Sequence, residues 1–495
     1  MLNLSKRKKG VLLTVSSSLF LQLMTVVCGF ILPPLIISRF GSVMNGMVSS
    51  IKQFIAYLNI VEAGVGGAAI AAMYQPLADK DVPSQNGILS ASCKFYNKSG
   101  VLFVALTSCL AIVYPLIVQS EIDGKTAGLM VLVLGIPGAA EFFLIGKYRV
   151  LLTADKHLYV VSFVRAGVLV LNTVVSVVLI CLGVGLVAVN LVASLIFLSR
   201  YFVIQWYVSR KYPWLDFHAV PDTGAISQSR SVLVHQIGGL VVFNAPLVLL
   251  TIFCSLKDVS VYSVYAMVFS GVNSVLSAFS GGMQSFFGES LVSEDLGQTR
   301  SIFNRYENVF LVVMGWMYSM TFVLVMPFMQ LYTKNMTDAD YIQPLLAVLL
   351  VIAGVANQLR KPCDLLISAA GHYEQTRWHS IVEVIINLAA STFFTLQLGF
   401  TGVVLGSLCS YTYRTLDIIV YANKKLLKRK PGFSLVKTAL VLCVFALFLY
   451  FLSFVDYFAV DSLATWIIYA FVLGVILGVP AFLSLYVTSK FKSKE

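Results

Sequence analysis

Charge is what this sequence has least of. Asp, Glu, Lys and Arg make up 12% of its 495 residues, against about 25% in soluble domains. No polar segment is long enough to fold as a soluble domain, which excludes the ordinary water-soluble enzyme or binding module. What charge there is sits between long apolar stretches such as Val11–Ser38, Leu158–Leu182, Leu435–Phe454 and Leu463–Val487. About 20 apolar residues let a helix cross a hydrocarbon core of roughly 30 Å. The sequence therefore reads as an all-α polytopic membrane protein, and its function as a membrane function.

Further absences narrow the chemistry. The eight cysteines include no pair at C-x-x-C spacing, and most lie inside apolar runs, where a free cysteine behaves as a small hydrophobe. No H-E-x-x-H is present, so no metal site is expected. Gly124-Lys125-Thr126 resembles the end of a nucleotide-binding loop, but Gln119 stands where that loop needs its first glycine. Neither ATP nor another cofactor is expected. Lys6-Arg7-Lys8-Lys9 ahead of an apolar run has the look of a signal peptide. The run continues to Ser38, well past an h-region of about 7–15 residues, and no small-x-small site closes it early. It reads as a retained first helix.

Fourteen spans are expected, at 11–38, 45–75, 93–118, 126–148, 158–182, 185–209, 230–254, 260–290, 303–330, 341–370, 379–398, 401–423, 435–454 and 463–488. With the N-terminus inside, the external connectors hold only Arg39, Lys125, Lys257 and Lys334 of the 35 cations. Most of the others gather at the internal connectors and the two ends, most densely at Lys424–Lys430. The positive-inside bias then places both termini in the cytoplasm. The net charge of +12 reads as loop charge facing anionic lipid headgroups, not as a nucleic-acid surface.

The two halves resemble each other at a fixed offset. His157 and His372 are 215 apart (372 − 157), as are Asn172 and Asn387 (387 − 172). Gly66-Gly67 falls on Gly281-Gly282, Asp79 on Glu294, and Gly183 on Gly399 with a one-residue drift. The organisation that follows is an N-lobe of six helices (1–209), a cytoplasmic linker (210–229), a C-lobe of six helices (230–423), a basic loop (424–434), and two extra helices with a tail (435–495). An even number of spans per copy keeps the copies parallel, related by an axis along the membrane normal, a recurring plan of secondary transporters.

Pro33-Pro34, Arg39-Phe40-Gly41-Ser42, Asn45-Gly46 and Glu62-Ala63-Gly64-Val65-Gly66 resemble the opening of the polysaccharide-repeat flippases. Gly146 to Ala154 is similar to the same family. With its spans and twofold repeat, the chain resembles the Wzx-type members of the MOP exporter superfamily. That resemblance implies a lipid-linked oligosaccharide on undecaprenyl pyrophosphate as cargo, two lobes that alternate in access, and a bacterial plasma membrane. Glycosyltransferases and a glycan polymerase would be its pathway partners. No partner-binding motif is present, and a monomer is expected.

Ionisable groups at membrane depth mark functional sites. The candidates are Lys52, Glu62, Glu141, Arg165, Glu383, Arg414 and Asp417. Lys52 and Asn59 lie two helical turns apart and share a face. Lys52 and Arg165 are expected to face the space between the lobes and bind pyrophosphate. Asn59 and Arg39 complete the substrate-binding set. Lys52 paired with Glu62 or Glu141, and Arg165 snorkelling to the interface, are the structural readings of the same residues. Glu62 and Glu141 are candidates for ion coupling or sugar contact. Arg414 and Asp417, three apart, should pair, and Glu383 should pair at the helix edge near Arg377 and His379. The competing function is a cation-coupled multidrug exporter similar to the MATE transporters, which generally rely on an acid within the lobes; the first helix here has none. A membrane glycan polymerase or ligase would carry a large basic external loop, and these external loops are short.

Overall fold

The computed structural model describes residues 2–62, 65–224, 230–280, 283–292, 295–452, 460 and 462–492. Ala63, Gly64, Gly281-Gly282, Glu294 and part of the linker expected at 210–229 lie outside the described residues. Among the described residues there is helix and no strand. In chain order the helices are α1 (Leu2–Phe40), α2 (Ser42–Leu58), α3 (Val65–Asp79), α4 (Val82–Val118), α5 (Gly124–Ala140), α6 (Gly146–Ala154), α7 (Leu158–Cys181), α8 (Leu186–Lys211) and α9 (Arg230–Phe253). They continue with α10 (Leu256–Ser280), α11 (Met283–Val292), α12 (Leu296–Tyr332), α13 (Pro344–Leu359), α14 (Lys361–Ala369), α15 (Tyr373–Leu398), α16 (Gly402–Tyr421), α17 (Gly432–Leu452) and α18 (Leu463–Lys492).

Among the described residues, ten helical stretches are long and apolar enough to cross a membrane, or eleven if the bent pair Ser42–Glu62 and Gly66–Asp79 forms one span. Gly432–Cys443 and Leu463–Val479 are shorter apolar helices. Leu171, Val174, Val178, Ile467, Ile468 and Phe471 lie exposed on the outer faces, as lipid-facing residues do. The chain is a multi-pass membrane protein.

By packing it divides into two compact units, Met1–Ser260 and Val261–Glu495. In the first, α1 lies against α7 and α2, α4 against α5, α8 against α5 and α7, and α2 against α9. In the second, α16 lies against α15 and α13, α12 against α13, and α11 against α14. There α18 is tied to α12 by two indole donors, Trp316 Nε1 to the Gly474 carbonyl (3.0 Å) and Trp466 Nε1 to that of Leu324 (3.2 Å).

The repeat is visible element by element. α4 and α12 are both 37 residues long, and each starts behind an aspartate N-cap. Asp81 accepts from the Ser84 amide, and Asp295 from the Gly297 and Gln298 amides, which satisfies donors that a helix start leaves unpaired. Lys156 and Gly371, 215 apart, both adopt positive φ (61° and 67°), and His157 and His372 follow at the N-cap positions of α7 and α15. Gly183 and Gly399 turn the chain at φ 81° and 65°. Asn172 donates to the Ala193 carbonyl of α8 (3.0 Å), and Asn387 to Ser410 of α16 (3.0 Å). Each asparagine thus pins its helix to the next. The fourth span of each copy is interrupted at matching places, by a π turn at Glu141–Ile145 and by the break between α13 and α14 at Arg360.

Two expected spans are corrected. The single helix over 45–75 is divided: α2 passes into a 3₁₀ turn, Asn59–Glu62, and α3 leaves at a 43° bend. Glycine costs roughly 1 kcal/mol per helical position relative to alanine, and Gly64, Gly66 and Gly67 crowd this stretch. The fourth span of the second copy, expected over 341–370, is the broken pair α13 and α14.

α15 and α16 form a tight hairpin. A Cβ at Gly402 would meet the Phe394 carbonyl, and one at Gly406 the Ser391 backbone. Small residues allow this approach. Gly406→Leu should cost roughly 3 kcal/mol or more, at the upper end of overpacking penalties. A thermal-unfolding assay in detergent checks this, and an unchanged midpoint would contradict it.

Candidate functional site

A cavity of about 440 Å³ lies inside the first unit, walled by α1, α2, α5, α7 and α8. Prolines shape it. Pro33 in α1 has no amide to give the Gly29 carbonyl four residues back, and Gly29 lines the wall. Pro137 likewise frees the Val133 carbonyl, and Ser194 of α8 donates to it at 2.8 Å. The wall is apolar with hydroxyl and carboxamide groups from Thr25, Ser49, Asn172, Ser176 and Asn190. Of the 22 lining residues only Lys52 is charged. Along α2, Asn45, Val48, Ser49 and Lys52 fall within an arc of about 100° at 100° per residue, and all four line the cavity. Lys52 is solvent-accessible, and no ion pair or hydrogen bond ties it to another described residue. It pairs with neither Glu62 nor Glu141.

Those two carboxylates belong to an ionic cluster one turn beyond the cavity floor. Pro137, Leu169 and Phe197 line the cavity; Glu141, Arg165 and Arg200 stand one turn further on the same helices, all toward the same end because the helices alternate in direction. Arg149 of α6 binds Glu62 and, at 3.1 Å, Glu141. Arg200 reaches Glu141 at 3.5 Å and lies over the Phe197 ring, 5.3 Å from its centre. Tyr96 donates to Glu62 at 3.1 Å. Arg165 is exposed, forms no ion pair among the described residues, and is near enough to repel Arg149 and Arg200. Three guanidinium groups therefore face two carboxylates.

The expected set is thus only partly brought together. Lys52 lines the cavity. Arg165 stands below its floor. Asn59 opens the 3₁₀ turn, is exposed, and is not in the wall. Arg39 is exposed at the end of α1, beside the turn at Gly183. Glu62 and Glu141 are engaged by arginines. Sequence reading missed Arg149, placed in a connector, and Arg200. The signal for Arg200 was present, since it stands alone among apolar residues of the expected span 185–209.

The second unit holds a closed network. Arg414 pairs with Asp417 (2.8 Å), as their spacing suggested, and with Glu383 (3.4 Å). Glu383 is buried and bound by Arg360 (2.5 Å), not by Arg377 or His379 at a helix edge. Its position on the inward face of α15 decides this. His379 instead meets Asp417 at 2.6 Å, and Arg360 also reaches Asp364 at 3.7 Å. Arg360 stands at the α13–α14 break, so the network braces that break against α15 and α16.

Neither a family model nor a curated protein matches the sequence. Solved structures do match. The lipid II flippase MurJ in an inward closed conformation superposes with a TM-score of 0.64 at 14% identity, over 96% of this chain and 99% of that one. An inward-facing multidrug resistance MATE transporter of the MOP superfamily gives 0.59 at 14% identity, over 82% and 95%. The Vibrio cholerae MATE transporter VcmN, as a point mutant, gives 0.58 at 14% identity, over 88% and 100%. The chain therefore has the fold of these MATE transporters and of the MurJ flippase, over 82–96% of its length.

Proposed function

We propose that this chain is a Wzx-type flippase. On this reading it moves undecaprenyl-pyrophosphate-linked oligosaccharide repeat units from the cytoplasmic to the outer leaflet of a bacterial plasma membrane by alternating access, with both termini in the cytoplasm. The observation that carries this is the sign of the cavity's only charge. An ammonium group in a largely apolar wall is costly, and an anionic phosphate offsets it. Arg165 and the cationic surplus around it add positive potential one turn away, where an Arg fork suits phosphate. The volume suits a headgroup portion of the cargo, not a whole repeat unit, given that drug-sized pockets run to about 300–1,000 Å³. The likeness to a lipid II flippase supports the same class of cargo. The MATE structures keep a cation-coupled multidrug exporter as the alternative, but a cationic drug would find no carboxylate in this wall.

The test reconstitutes the full chain in proteoliposomes and follows two cargoes: a fluorescent undecaprenyl-pyrophosphate oligosaccharide and a cationic dye. Translocation of the lipid-linked glycan without dye transport is the expected result. Dye transport without glycan movement would replace this reading with the exporter.

A further inference from the structure

The cavity in the first unit separates hydrogen-bond donors from acceptors. A hydroxyl has one hydrogen to give and two lone pairs that accept. Five hydroxyls line the wall, those of Thr25, Ser49, Thr173, Ser176 and Ser194. Four commit their hydrogen to the protein: Thr25 to the Leu21 carbonyl (2.8 Å), Thr173 to that of Leu169 (2.9 Å), Ser176 to Asn172 Oδ1 (3.2 Å) and Ser194 to the Val133 carbonyl. Asn190 is half-buried, and its Nδ2 donates to the Leu186 carbonyl of its own helix at 2.9 Å. No described residue donates to its Oδ1. The Gly29 carbonyl, left without its helical partner by Pro33, adds a further acceptor to the wall. Among the described residues, Ser49 has the one wall hydroxyl whose hydrogen is uncommitted, and it stands one turn from Lys52 on α2. The polar wall is thus divided: α2 gives hydrogens, and α1, α7 and α8 chiefly receive them.

A pyrophosphate carries acceptor oxygens and fits the α2 side. Against α1, α7 and α8 its oxygens would face lone pairs. The part of a ligand that fits there must bring hydrogens, as sugar hydroxyls and acetamido N–H groups do. The depths of the two sides agree with this. α2 and α8 run in the same direction, and Lys52 lies ten residues past the start of α2 (52 − 42) while Asn190 lies four past the start of α8 (190 − 186). At 1.5 Å per residue Asn190 stands about 9 Å nearer that end, which leaves a sugar ring room beside a phosphate held at Lys52. We propose that the cavity recognises the first sugar of the cargo by its hydroxyl and amide hydrogens, with Asn190 as the specificity-determining residue and Lys52 with Ser49 holding the phosphate. A site built to hydrogen-bond a hydroxyl discriminates against the analogue that lacks it. This rests on the reading of the cavity as the cargo site.

The test measures affinities of the full chain in detergent for undecaprenyl pyrophosphate, bare or carrying glucose, galactose or N-acetylglucosamine. At least one glycosylated lipid should bind about fivefold more tightly than the bare one, the scale of one hydrogen bond. Replacing single hydroxyls of that sugar by fluorine, which removes the hydrogen at little change in size, should erase the preference at one position or more. Asn190→Leu should also erase it and leave bare-lipid affinity within about twofold, well inside the scale of one hydrogen bond to a charged group. Asn190→Asp keeps an acceptor oxygen and should keep the preference, read as a ratio so that its added charge acts on both lipids alike. Equal binding of the bare and all three glycosylated lipids would overturn the proposal, and so would a preference that Asn190→Leu leaves unchanged. If Lys52→Gln weakens bare-lipid binding and no sugar adds to it, the cargo reading stands and this inference alone falls. If the bare lipid binds parent and Lys52→Gln equally, the cargo reading falls and takes this inference with it.

Discussion

Lys52→Gln should lower translocation of a pyrophosphate-linked cargo by about 10- to 100-fold, because a hydrogen bond to a charged group contributes roughly 1.5–3 kcal/mol. Lys52→Arg should keep most of the activity, since it preserves the charge, and Lys52→Glu should abolish it. The order follows from the cavity wall, where Lys52 is the only charged residue among those lining it: nothing else there can replace its charge. Arg165→Gln should have a smaller effect, because Arg149 and Arg200 remain beside it. Initial rates in proteoliposomes, normalised to folded protein, give the measurement. Equal rates for Lys52→Gln and the parent would remove Lys52 from the mechanism.

Arg149→Met should unfold or strongly destabilise the first unit. Arg149 joins Glu62 and Glu141, and removing one partner from a largely buried ionic group costs roughly 3–5 kcal/mol. The lower end is expected here, since about a third of the Arg149 side chain stays accessible (32%). The penalty comes from Glu62 losing its arginine and Glu141 keeping only the longer contact to Arg200 at 3.5 Å, so Glu62→Gln and Glu141→Gln added to Arg149→Met should restore much of the lost melting temperature. Size-exclusion profiles after heating in detergent will report it. If the triple variant is as unstable as the single one, the arginine acts through packing and not through charge balance.

The spans were legible because water and hydrocarbon sort residues strongly, and charge confined to connectors is visible in any window. The repeat was legible for a related reason. Turns need particular backbone conformations, so Gly183 and Gly399 at positive φ, and the histidines after the left-handed Lys156 and Gly371, leave marks at a fixed offset. The broken second helix was less visible. Apolar periodicity carries across Glu62 without a gap, and only the glycines hint that the helix changes form there. The ionic partners were least visible. Glu62 and Arg149 are far apart in sequence, and no spacing rule joins them. Glu383 was assigned to neighbours on its own helix, whereas the fold brings Arg360 and Arg414 to it from two others. Lys52 was identified by its isolation in an apolar helix. That it lines a cavity inside one bundle depends on the kinked α1 and on α5, α7 and α8, which no local pattern encodes.

Transport by this mechanism requires an acidic headgroup held against Lys52. Equilibrium binding of undecaprenyl pyrophosphate to the detergent-purified chain, by native mass spectrometry, tests this most directly. The parent should hold the lipid, and Lys52→Gln should lose the bound species while keeping its fold and its adducts with neutral lipids. Undiminished binding of the pyrophosphate lipid to a well-folded Lys52→Gln variant would contradict the account.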